Sequence, residues 1–267
     1  MQWCLNTYGT GQDLALGRLI ELARQTGYEG IEYLMDFQQP HGVEADAAPD
    51  HLLAVKAAMD AAGLEIACVT SCAHFHDLDG EKLAENRRRA ERTIAIAHGW
   101  GCPLVRVLGD RVPEDEHKAA VLAQVTGCLQ DLADAARPLG VRVLLEMHSS
   151  FADPDYSIPL AERVARSNFG LIFNGQFRGG RAPNPPWGVQ SGESIRGLYD
   201  RFRPHLVSMH VHAMEPPDQW PHYQELFRLL RADGWDGWVS QESAYRGPDP
   251  EKVLQLYTAL FHALAEG

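Results

Sequence analysis

The run Val143-Leu144-Leu145-Glu146 is apolar and ends on a carboxylate. A buried parallel strand reads as a continuous apolar segment, and the polar residue at its carboxyl end points to the face of an α/β fold where ligands bind. Three later runs repeat the pattern and end on an amide, an imidazole and a carboxylate: Leu171 to Asn174, Val207 to His212, and Trp238 to Glu242. Four strands that each deliver one potential metal ligand predict a divalent-cation site.

Strand-like and helix-like segments alternate along the chain and form eight pairs. The first pair is Gln2 to Asn6 followed by Leu14 to Gln25, and the second is Gly30 to Leu34 followed by Pro49 to Ala62. The fifth is Val141 to Met147 followed by a short helix near Pro159 to Arg166, and the last is Gly237 to Gln241 followed by Glu251 to Ala265. This alternation is compatible with a closed barrel or an open doubly wound sheet. No GxGxxG motif follows the first strand, which removes the main support for a dinucleotide-binding sheet. We therefore predict a single (β/α)8 TIM barrel domain over residues 1–267.

The composition argues against nucleic acid or a membrane as the partner. The net charge is -12, whereas nucleic-acid binding requires clustered Lys and Arg. The basic cluster Arg87 to Arg89 lies between Glu85 and Glu91, which indicates a solvated helix face. No apolar run approaches the ~18 residues of a membrane span, and no secretory signal is recognisable. Five cysteines without paired CxxC spacing indicate a reducing compartment, so we expect a cytoplasmic protein whose cysteines are mainly buried.

Glu146 and Glu242 are the candidate catalytic carboxylates. In a closed barrel they are expected to face each other across the mouth, where two carboxylates beside one cation could flank a chelated substrate. A carboxylate at the end of an apolar strand is costly to leave unpaired. A salt bridge between Glu146 and Arg106, which ends the preceding strand, is the competing interpretation.

Histidines occur in two HxH motifs. His210 and His212 point to the same side of a strand, which in a barrel is the interior. We assign the metal to His212, nearer the carboxyl end, and interpret His210 as a hydrogen-bonded core residue. His74 and His76 follow the third strand with the same spacing, and His74 is a candidate substrate contact.

These features resemble the xylose isomerase-like superfamily of (β/α)8 barrels, which includes sugar isomerases and epimerases, inosose dehydratase and endonuclease IV. The resemblance covers nearly the whole chain. The segment Gly27-Tyr28-Glu29-Gly30-Ile31-Glu32 is similar to the second-strand signature of the family, and the four ligand-bearing strands occur in family order. The resemblance implies that one divalent ion, preferably Mn²⁺ and alternatively Mg²⁺, Co²⁺ or Zn²⁺, is held by four residues. These are Glu146, Asn174, His212 and Glu242.

Asn174 departs from the family pattern, which has an aspartate there and usually a histidine three residues later. This chain reads Phe173-Asn174-Gly175-Gln176-Phe177. An amide carbonyl can ligate a hard cation but lacks the carboxylate charge, so metal affinity is expected to fall and to depend on substrate completing the shell. Gln176 or a residue of the following loop is expected to replace the missing histidine contact. The endonuclease IV branch is disfavoured, because its larger set of metal-binding residues is absent and the net charge is unsuited to DNA.

The resemblance implies a divalent-metal-dependent isomerase or epimerase that acts on a sugar or polyol carbonyl compound through an enediolate. The sequence has no Gly-rich phosphate-binding loop, which favours an unphosphorylated substrate. Glu146 and Glu242 would then act as base and acid on opposite faces of the substrate. The residues implied to orient substrate hydroxyls are Arg106, His148 and Glu215. One alternative is a metal-dependent dehydratase of an inosose-like substrate. Another is a sugar-binding barrel or partner subunit without turnover, in which Asn174 weakens the metal site.

The segment from Gly175 to Gly192 is a long connection after a strand and is rich in Gly, Pro and Arg. Loops at this end of a barrel form the active-site face. The segment is therefore predicted to be either a lid over the mouth or an ordered surface excursion. The family resemblance also allows a homodimer, although no interface is recognisable in the sequence.

Overall fold

The computed structural model describes residues 1–175, 193–212, 214–242 and 247–266. Eight parallel strands form one closed barrel in sequential order, with β1 paired to β8, and a helix follows each strand. The strands are β1 Gln2–Asn6, β2 Gly30–Leu34, β3 Glu65–His74, β4 Leu104–Leu108, β5 Arg142–Glu146, β6 Phe169–Gly175, β7 Leu206–Val211 and β8 Trp238–Gln241. The helices are α1 Leu16–Gln25, α2 Pro49–Ala62, α3 Gly80–Trp100, α4 Lys118–Ala136, α5 Pro154–Val164, α6 Ile195–Phe202, α7 Trp220–Ala232 and α8 Pro250–Glu266.

The closed barrel confirms the (β/α)8 prediction and excludes the open doubly wound sheet. Strands β1 and β2 and helix α2 have the predicted bounds. Helix α5, predicted near Pro159 to Arg166, begins earlier, at Pro154. Asp153 accepts a hydrogen bond from the backbone nitrogen of Asp155 at 2.8 Å, and Pro154 occupies the first helical position. This cap and the fixed φ of proline explain the earlier start.

Alternate side chains of the strands fill the barrel interior. Its apolar layer consists of Cys4, Ala67, Cys68, Leu104, Leu144, Ile172 and Trp238. Two residues further along three of these strands, on the same side, the side chains become polar: Leu104 is followed by Arg106, Leu144 by Glu146, and Ile172 by Asn174. A larger apolar cluster joins strand residues such as Leu5 and Val143 to helix residues such as Leu22. The apolar layer inside the barrel therefore lies beneath a polar layer at the carboxyl ends of the strands.

The basic cluster of α3 is paired with acids rather than arranged as an open patch. The three ion pairs are Arg87 with Asp131 at 2.8 Å, Arg88 with Glu85 at 2.7 Å, and Arg89 with Asp36 at 3.2 Å. These contacts support the interpretation of a solvated helix face. Across the described ranges, no helix combines the length and the apolar character needed to cross a membrane.

The cysteines have the structural role expected from the sequence. All five are free, and four of them are buried: Cys4, Cys68, Cys102 and Cys128. Burial raises the pKa of Cys102 to about 12, which keeps this thiol protonated and unreactive at neutral pH. Cys4 and Cys68 belong to the apolar layer inside the barrel.

Gly30 opens β2 at a point where neighbouring atoms leave no room for a side chain. A Cβ built there would lie 2.8 Å from the backbone oxygen of Glu65 and 3.0 Å from the ring of Trp238. Because a backbone oxygen in a paired strand cannot rotate away, Gly30→Ala is expected to lower the free energy of unfolding by about 1–3 kcal/mol. The control, Gly127→Ala in α4, meets no atom within 4 Å and should be neutral or stabilising by up to ~1 kcal/mol. Urea denaturation compares the two variants, and equal stability would contradict the prediction.

Candidate functional site

Carboxylate and imidazole groups meet at the carboxyl ends of β5, β7 and β8. Glu146 is the last residue of β5, His210 lies in β7, and Glu242 directly follows β8. Nδ1 of His210 lies 3.0 Å from Oε2 of Glu242 and 3.5 Å from Oε1 of Glu146. One donor atom from each of the three residues lies within 4.8 Å of the others, which is close enough for a shared metal ion. The structure therefore brings together the two carboxylates that the strand ends predict.

Glu146 is held from two sides. Nε of Arg106 lies 3.0 Å from Oε2 of Glu146, and both side chains are buried. Nδ2 of Asn174 donates a hydrogen bond to Oε1 of Glu146 at 2.8 Å, and Nη1 of Arg106 donates to the backbone oxygen of Ser71 at 2.9 Å. The salt bridge that competed with metal ligation is thus present. Since Oε1 still lies beside His210, the salt bridge and a role in metal binding do not exclude each other.

His210 bridges two carboxylates. Its Nε2 lies 2.9 Å from Oε1 of Glu32 in β2, while Nδ1 faces Glu242. The same Glu32 oxygen accepts hydrogen bonds from Oγ1 of Thr70 at 2.7 Å and from Nδ2 of Asn6 at 3.0 Å. His210, Glu32, Thr70 and Asn6 are all fully buried. A hydrogen-bonded chain therefore runs from the middle of the barrel to the carboxylate at its mouth.

Glu32 and His210 are functional candidates that the strand-end pattern does not identify. In the sequence, Glu32 belongs only to the second-strand signature, and the strand-end pattern predicts His212 rather than His210 as the metal ligand. A signal for Glu32 does exist in the sequence. It is a carboxylate within the short and otherwise uncharged strand Gly30-Ile31-Glu32-Tyr33-Leu34, and a charge at such a position requires a buried partner.

Burial and neighbouring charges act in opposite directions on these groups. Burial alone would raise the pKa of Glu146, but Arg106 and His210 hold it well below its usual range. Burial alone would lower the pKa of His210, but the carboxylates of Glu32, Glu242 and Glu146 raise it well above its ordinary value. The charge of His210 likewise outweighs burial at Glu32 and lowers that pKa. These directions favour ionised carboxylates at Glu146 and Glu32 and a positively charged imidazole at His210 at neutral pH.

His212, the predicted metal ligand, directly follows β7 and has a side chain that is 19% exposed. Its Nε2 lies 3.4 Å from Oε2 of Glu242, the same oxygen that faces His210. Burial lowers the pKa of His212 despite the nearby carboxylate, which favours the neutral ring that can ligate a metal. The two histidines thus approach one carboxylate oxygen from different depths. The assignment of the metal to His212 stays a prediction.

Two further predicted contacts lie at or just beyond the carboxyl end of a strand, one on β3 and one after β5. His148 stands two residues after Glu146, and its Nδ1 is buried with no hydrogen-bond partner among the residues that the structure describes. His74 is the last residue of β3, and its Nδ1 lies 3.1 Å from the backbone oxygen of Cys72.

The remaining predicted substrate contacts are Glu215 and Gln176. The carboxylate of Glu215 accepts a hydrogen bond at 2.7 Å from the hydroxyl of Tyr257 in α8, which ties it to the helix layer. Gln176 lies outside the described residues, as does the rest of the predicted lid segment up to residue 192. Both assignments stay predictions.

A family model for the xylose isomerase-like TIM barrel matches residues 20–260. The chain belongs to this family. Among curated relatives, the 2-oxo-tetronate isomerase of Pectobacterium atrosepticum is 24% identical over 236 residues, which cover 84% of this chain and 85% of the relative. A putative hydroxypyruvate isomerase of Mus musculus is 25% identical over 233 residues, with coverage of 76% and 78%.

Solved structures show the same fold for this xylose isomerase-like barrel. A D-psicose 3-epimerase crystallised in the presence of D-fructose has a TM-score of 0.77 and 14% identity, with both chains covered completely. The IOLI protein, solved with a bound zinc atom, has a TM-score of 0.75 and 16% identity over 100% of this chain and 98% of that one. These comparisons confirm the resemblance stated from the sequence.

The buried charges of this family member suit a divalent cation. Over the described ranges, the buried carboxylates are Glu32, Glu146 and Glu242, and the buried guanidinium or ammonium group is that of Arg106. Three negative charges and one positive charge leave a formal charge of -2 before any histidine is protonated. A divalent ion at Glu146 and Glu242 would balance this charge, whereas the proton on His210 balances half of it.

The amide of Asn174 also fits a cation. Its nitrogen donates to Glu146, while its oxygen is buried and has no hydrogen-bond partner within the part of the chain that the structure describes. Buried acceptors are normally satisfied, so this carbonyl oxygen beside a carboxylate suits a position that ligates a cation. Amide and carboxylate oxygens are suitable ligands for hard divalent cations.

The buried ion pair of Arg106 and Glu146 predicts a large loss of stability when the guanidinium group of Arg106 is removed. Arg106→Met leaves Glu146 charged and without its guanidinium partner, so we expect unfolding to become easier by about 3–5 kcal/mol. The matched control is Arg88→Met, which removes an exposed ion pair with Glu85 and should change stability by at most ~1 kcal/mol. Urea denaturation in the presence of chelator measures both variants. A similar small change in both would contradict the prediction.

Proposed function

We propose that the protein is a divalent-metal-dependent isomerase or epimerase that acts on a small sugar or polyol carbonyl compound. The observation that carries this proposal is the convergence of Glu146 and Glu242 on one buried imidazole at the barrel mouth. Two carboxylates arranged in this way can remove a proton from a carbon atom and return one to it. The isomerases among the curated relatives and the epimerase among the similar structures support the same reaction class.

Four residues would hold the ion: Glu146, Asn174, His212 and Glu242. Mn²⁺ is our first choice, because a set dominated by carboxylate and carbonyl oxygens suits Mn²⁺ and Mg²⁺, although the imidazole keeps Co²⁺ and Zn²⁺ as alternatives. When bound, the ion polarises a carbonyl oxygen and its neighbouring hydroxyl oxygen, which makes the adjacent carbon–hydrogen bond more acidic. His210 faces the same carboxylates and could ligate the ion only after losing the proton that they stabilise.

Glu146 and Glu242 are held differently, and we assign them unequal roles in moving the proton. Arg106 and Asn174 stabilise the ionised form of Glu146, so this carboxylate is suited to binding and orientation and releases a proton readily. Glu242 contacts ring nitrogens of His210 and His212. His210 faces this carboxylate from inside the barrel, so we assign Glu242 the removal of the proton from the substrate carbon, with His210 positioning it.

Arg106 has a different role in this proposal from the hydroxyl contact implied by the family resemblance. Its side chain is buried, and its guanidinium faces Glu146 and the backbone oxygen of Ser71. We therefore assign Arg106 to positioning Glu146. His148 and the residues beyond β6 remain the proposed contacts for substrate hydroxyls.

Dehydration of an inosose-like substrate is the second candidate reaction. A dehydratase needs an acid that protonates the leaving hydroxyl, in addition to the base that removes the carbon-bound proton. The unpartnered Nδ1 of His148, two residues after Glu146, is the observation that favours such a group. The identity of the product decides between the two reactions.

Metal binding tests the proposed ligand set. Chelator-treated wild type is expected to bind about one Mn²⁺ per chain, and Glu146→Ala and His212→Ala are expected to lose it. Asn174→Asp adds the missing charge and should bind Mn²⁺ roughly tenfold more tightly. Electron paramagnetic resonance of free Mn²⁺ measures the binding, with the exposed Glu85→Ala as the control. Equal binding by all variants would overturn this ligand set.

Proton exchange tests the reaction class. With Mn²⁺ and D2O, the protein is expected to place deuterium on the carbon next to the carbonyl of its substrate, and NMR detects this exchange. The panel contains hydroxypyruvate, 2-oxo-tetronate, D-fructose, D-psicose and inosose. Glu242→Gln should slow the exchange by roughly 100-fold or more, because it removes the proton acceptor. A rearranged product supports isomerisation, loss of water supports dehydration, and tight binding without exchange supports a non-catalytic sugar-binding barrel.

A further inference from the structure

A second group of metal-ligating side chains lies at the carboxyl ends of β3 and β4. His74 ends β3, His76 follows it, and Asp110 lies two residues beyond the end of β4. One donor atom from each residue lies within 4.8 Å of the other two, and all three residues are partly exposed. None of them belongs to the cluster around Glu146, so the group needs an explanation of its own.

The hydrogen bonding of His74 leaves one ring nitrogen free to ligate. Its Nδ1 lies 3.1 Å from the backbone oxygen of Cys72. A carbonyl oxygen can only accept, so Nδ1 donates, and in the neutral tautomer with this bond the lone pair lies on Nε2. Metal-ligating histidines commonly have this arrangement, because a hydrogen bond from one nitrogen to a carbonyl fixes the tautomer and the direction of the other nitrogen.

His76 lies against His74 and has an unsatisfied nitrogen. The two ring centroids are 4.9 Å apart. Nδ1 of His76 is buried without a hydrogen-bond partner among the described residues, and Oδ2 of Asp110 lies 3.7 Å from it. This distance is too long for a hydrogen bond. It is close to the ~3.3 Å that separates two ligand atoms bound at about 2.0–2.1 Å to one tetrahedral ion.

The backbone holds Asp110 in an unusual conformation beside His76. Its φ is 63°, and Ser149, on the neighbouring loop after β5, has a φ of 53°. The backbone oxygen of Asp110 accepts a hydrogen bond from the nitrogen of Ser150 at 3.1 Å, which ties the two loops together. Left-handed residues other than glycine are strained, and such strain is concentrated at functional sites.

The cluster is open on the side of His76. A cavity of about 780 Å³ borders His76 and is also lined by Arg111, Ser149 and Ser150. Three protein ligands with an accessible fourth position form the typical set of an exchangeable zinc site. Two imidazoles with one carboxylate favour Zn²⁺, Co²⁺ or Ni²⁺ over Mg²⁺ or Ca²⁺, which prefer oxygen ligands.

We propose that His74, His76 and Asp110 form a second cation site, selective for Zn²⁺-like transition metals and independent of the site at Glu146 and Glu242. Its open position would face the cavity between the loops that follow β4 and β5. A water molecule or an oxygen atom of a ligand in the cavity would complete the coordination.

A Co²⁺ titration of chelator-treated protein tests this proposal, with the visible absorption of the bound ion as the readout. The double variant Glu146→Ala/Glu242→Ala disables the first site and is expected still to bind about one Co²⁺ per chain, displaceable by Zn²⁺. Adding His76→Ala or Asp110→Asn should weaken this binding at least roughly tenfold. Asn is chosen at position 110 because it tolerates the left-handed backbone. His262→Ala, an exposed residue of α8, is the control and should leave binding unchanged.

The outcomes separate this site from the proposed reaction. Absence of Co²⁺ binding in the folded double variant, or binding that His76→Ala and Asp110→Asn leave unchanged, would overturn the second site without affecting the assignment of Glu146 and Glu242. If circular dichroism shows that the double variant does not fold, the same titration is carried out on wild type and on the single variants. Wild type should then bind about one Co²⁺ more than His76→Ala, and equal amounts would overturn the proposal.

Discussion

Three carboxylates buried between the middle of the barrel and its mouth impose the constraint on which the site depends. Moving a carboxylate from water into a protein interior costs several kcal/mol unless other groups replace the lost hydration. Glu32, Glu146 and Glu242 meet this requirement by sharing Arg106 and His210. These five side chains come from or directly follow five different strands, so the network forms only when the barrel is closed. The fold and the site are therefore coupled through the electrostatic compensation of these carboxylates.

The interior of the barrel separates stability from chemistry along each strand. Leu104, Leu144 and Ile172 belong to the apolar layer, which needs no charge compensation and stabilises the closed sheet. The polar layer begins two residues later and contains the groups that need partners. Side chains of the polar layer can therefore change while the apolar layer keeps the barrel closed. This separation is how one barrel fold supports different reactions.

The sequence predicted the parts of the site that coincide with the end of an apolar run. Glu146 and Glu242 each stand where an apolar run stops. Because alternate side chains of a strand face the same way, the sequence predicts that these two carboxylates point into the barrel. The choice between His210 and His212 depends on depth, which periodicity does not give because both residues face the same side. Depth is set by the register between strands, and the register of β6 and β7 shifts after Leu171.

The strand-end pattern does not identify Glu32 for a related reason. It lies inside its strand rather than at its end, and its partners are Asn6, Thr70 and His210, which lie between 26 and 178 residues away along the chain. No local pattern connects these positions. The fold was easier to predict, since eight alternating segments and short turns are local properties that repeat along the chain. The contacts of the site are long-range, and they become visible only when the strands are assembled.

Asn174 illustrates how the site can keep its geometry while its affinity for a cation changes. Its amide nitrogen lies 2.8 Å from Glu146, where the oxygen of an aspartate would instead repel that carboxylate until an ion arrived. The amide therefore holds Glu146 in place before an ion binds, but it contributes less charge to hold the ion. A weaker set of protein ligands leaves more of the binding free energy to the oxygens of the substrate. Ion and substrate would then each raise the affinity for the other, because thermodynamic coupling between two ligands is reciprocal.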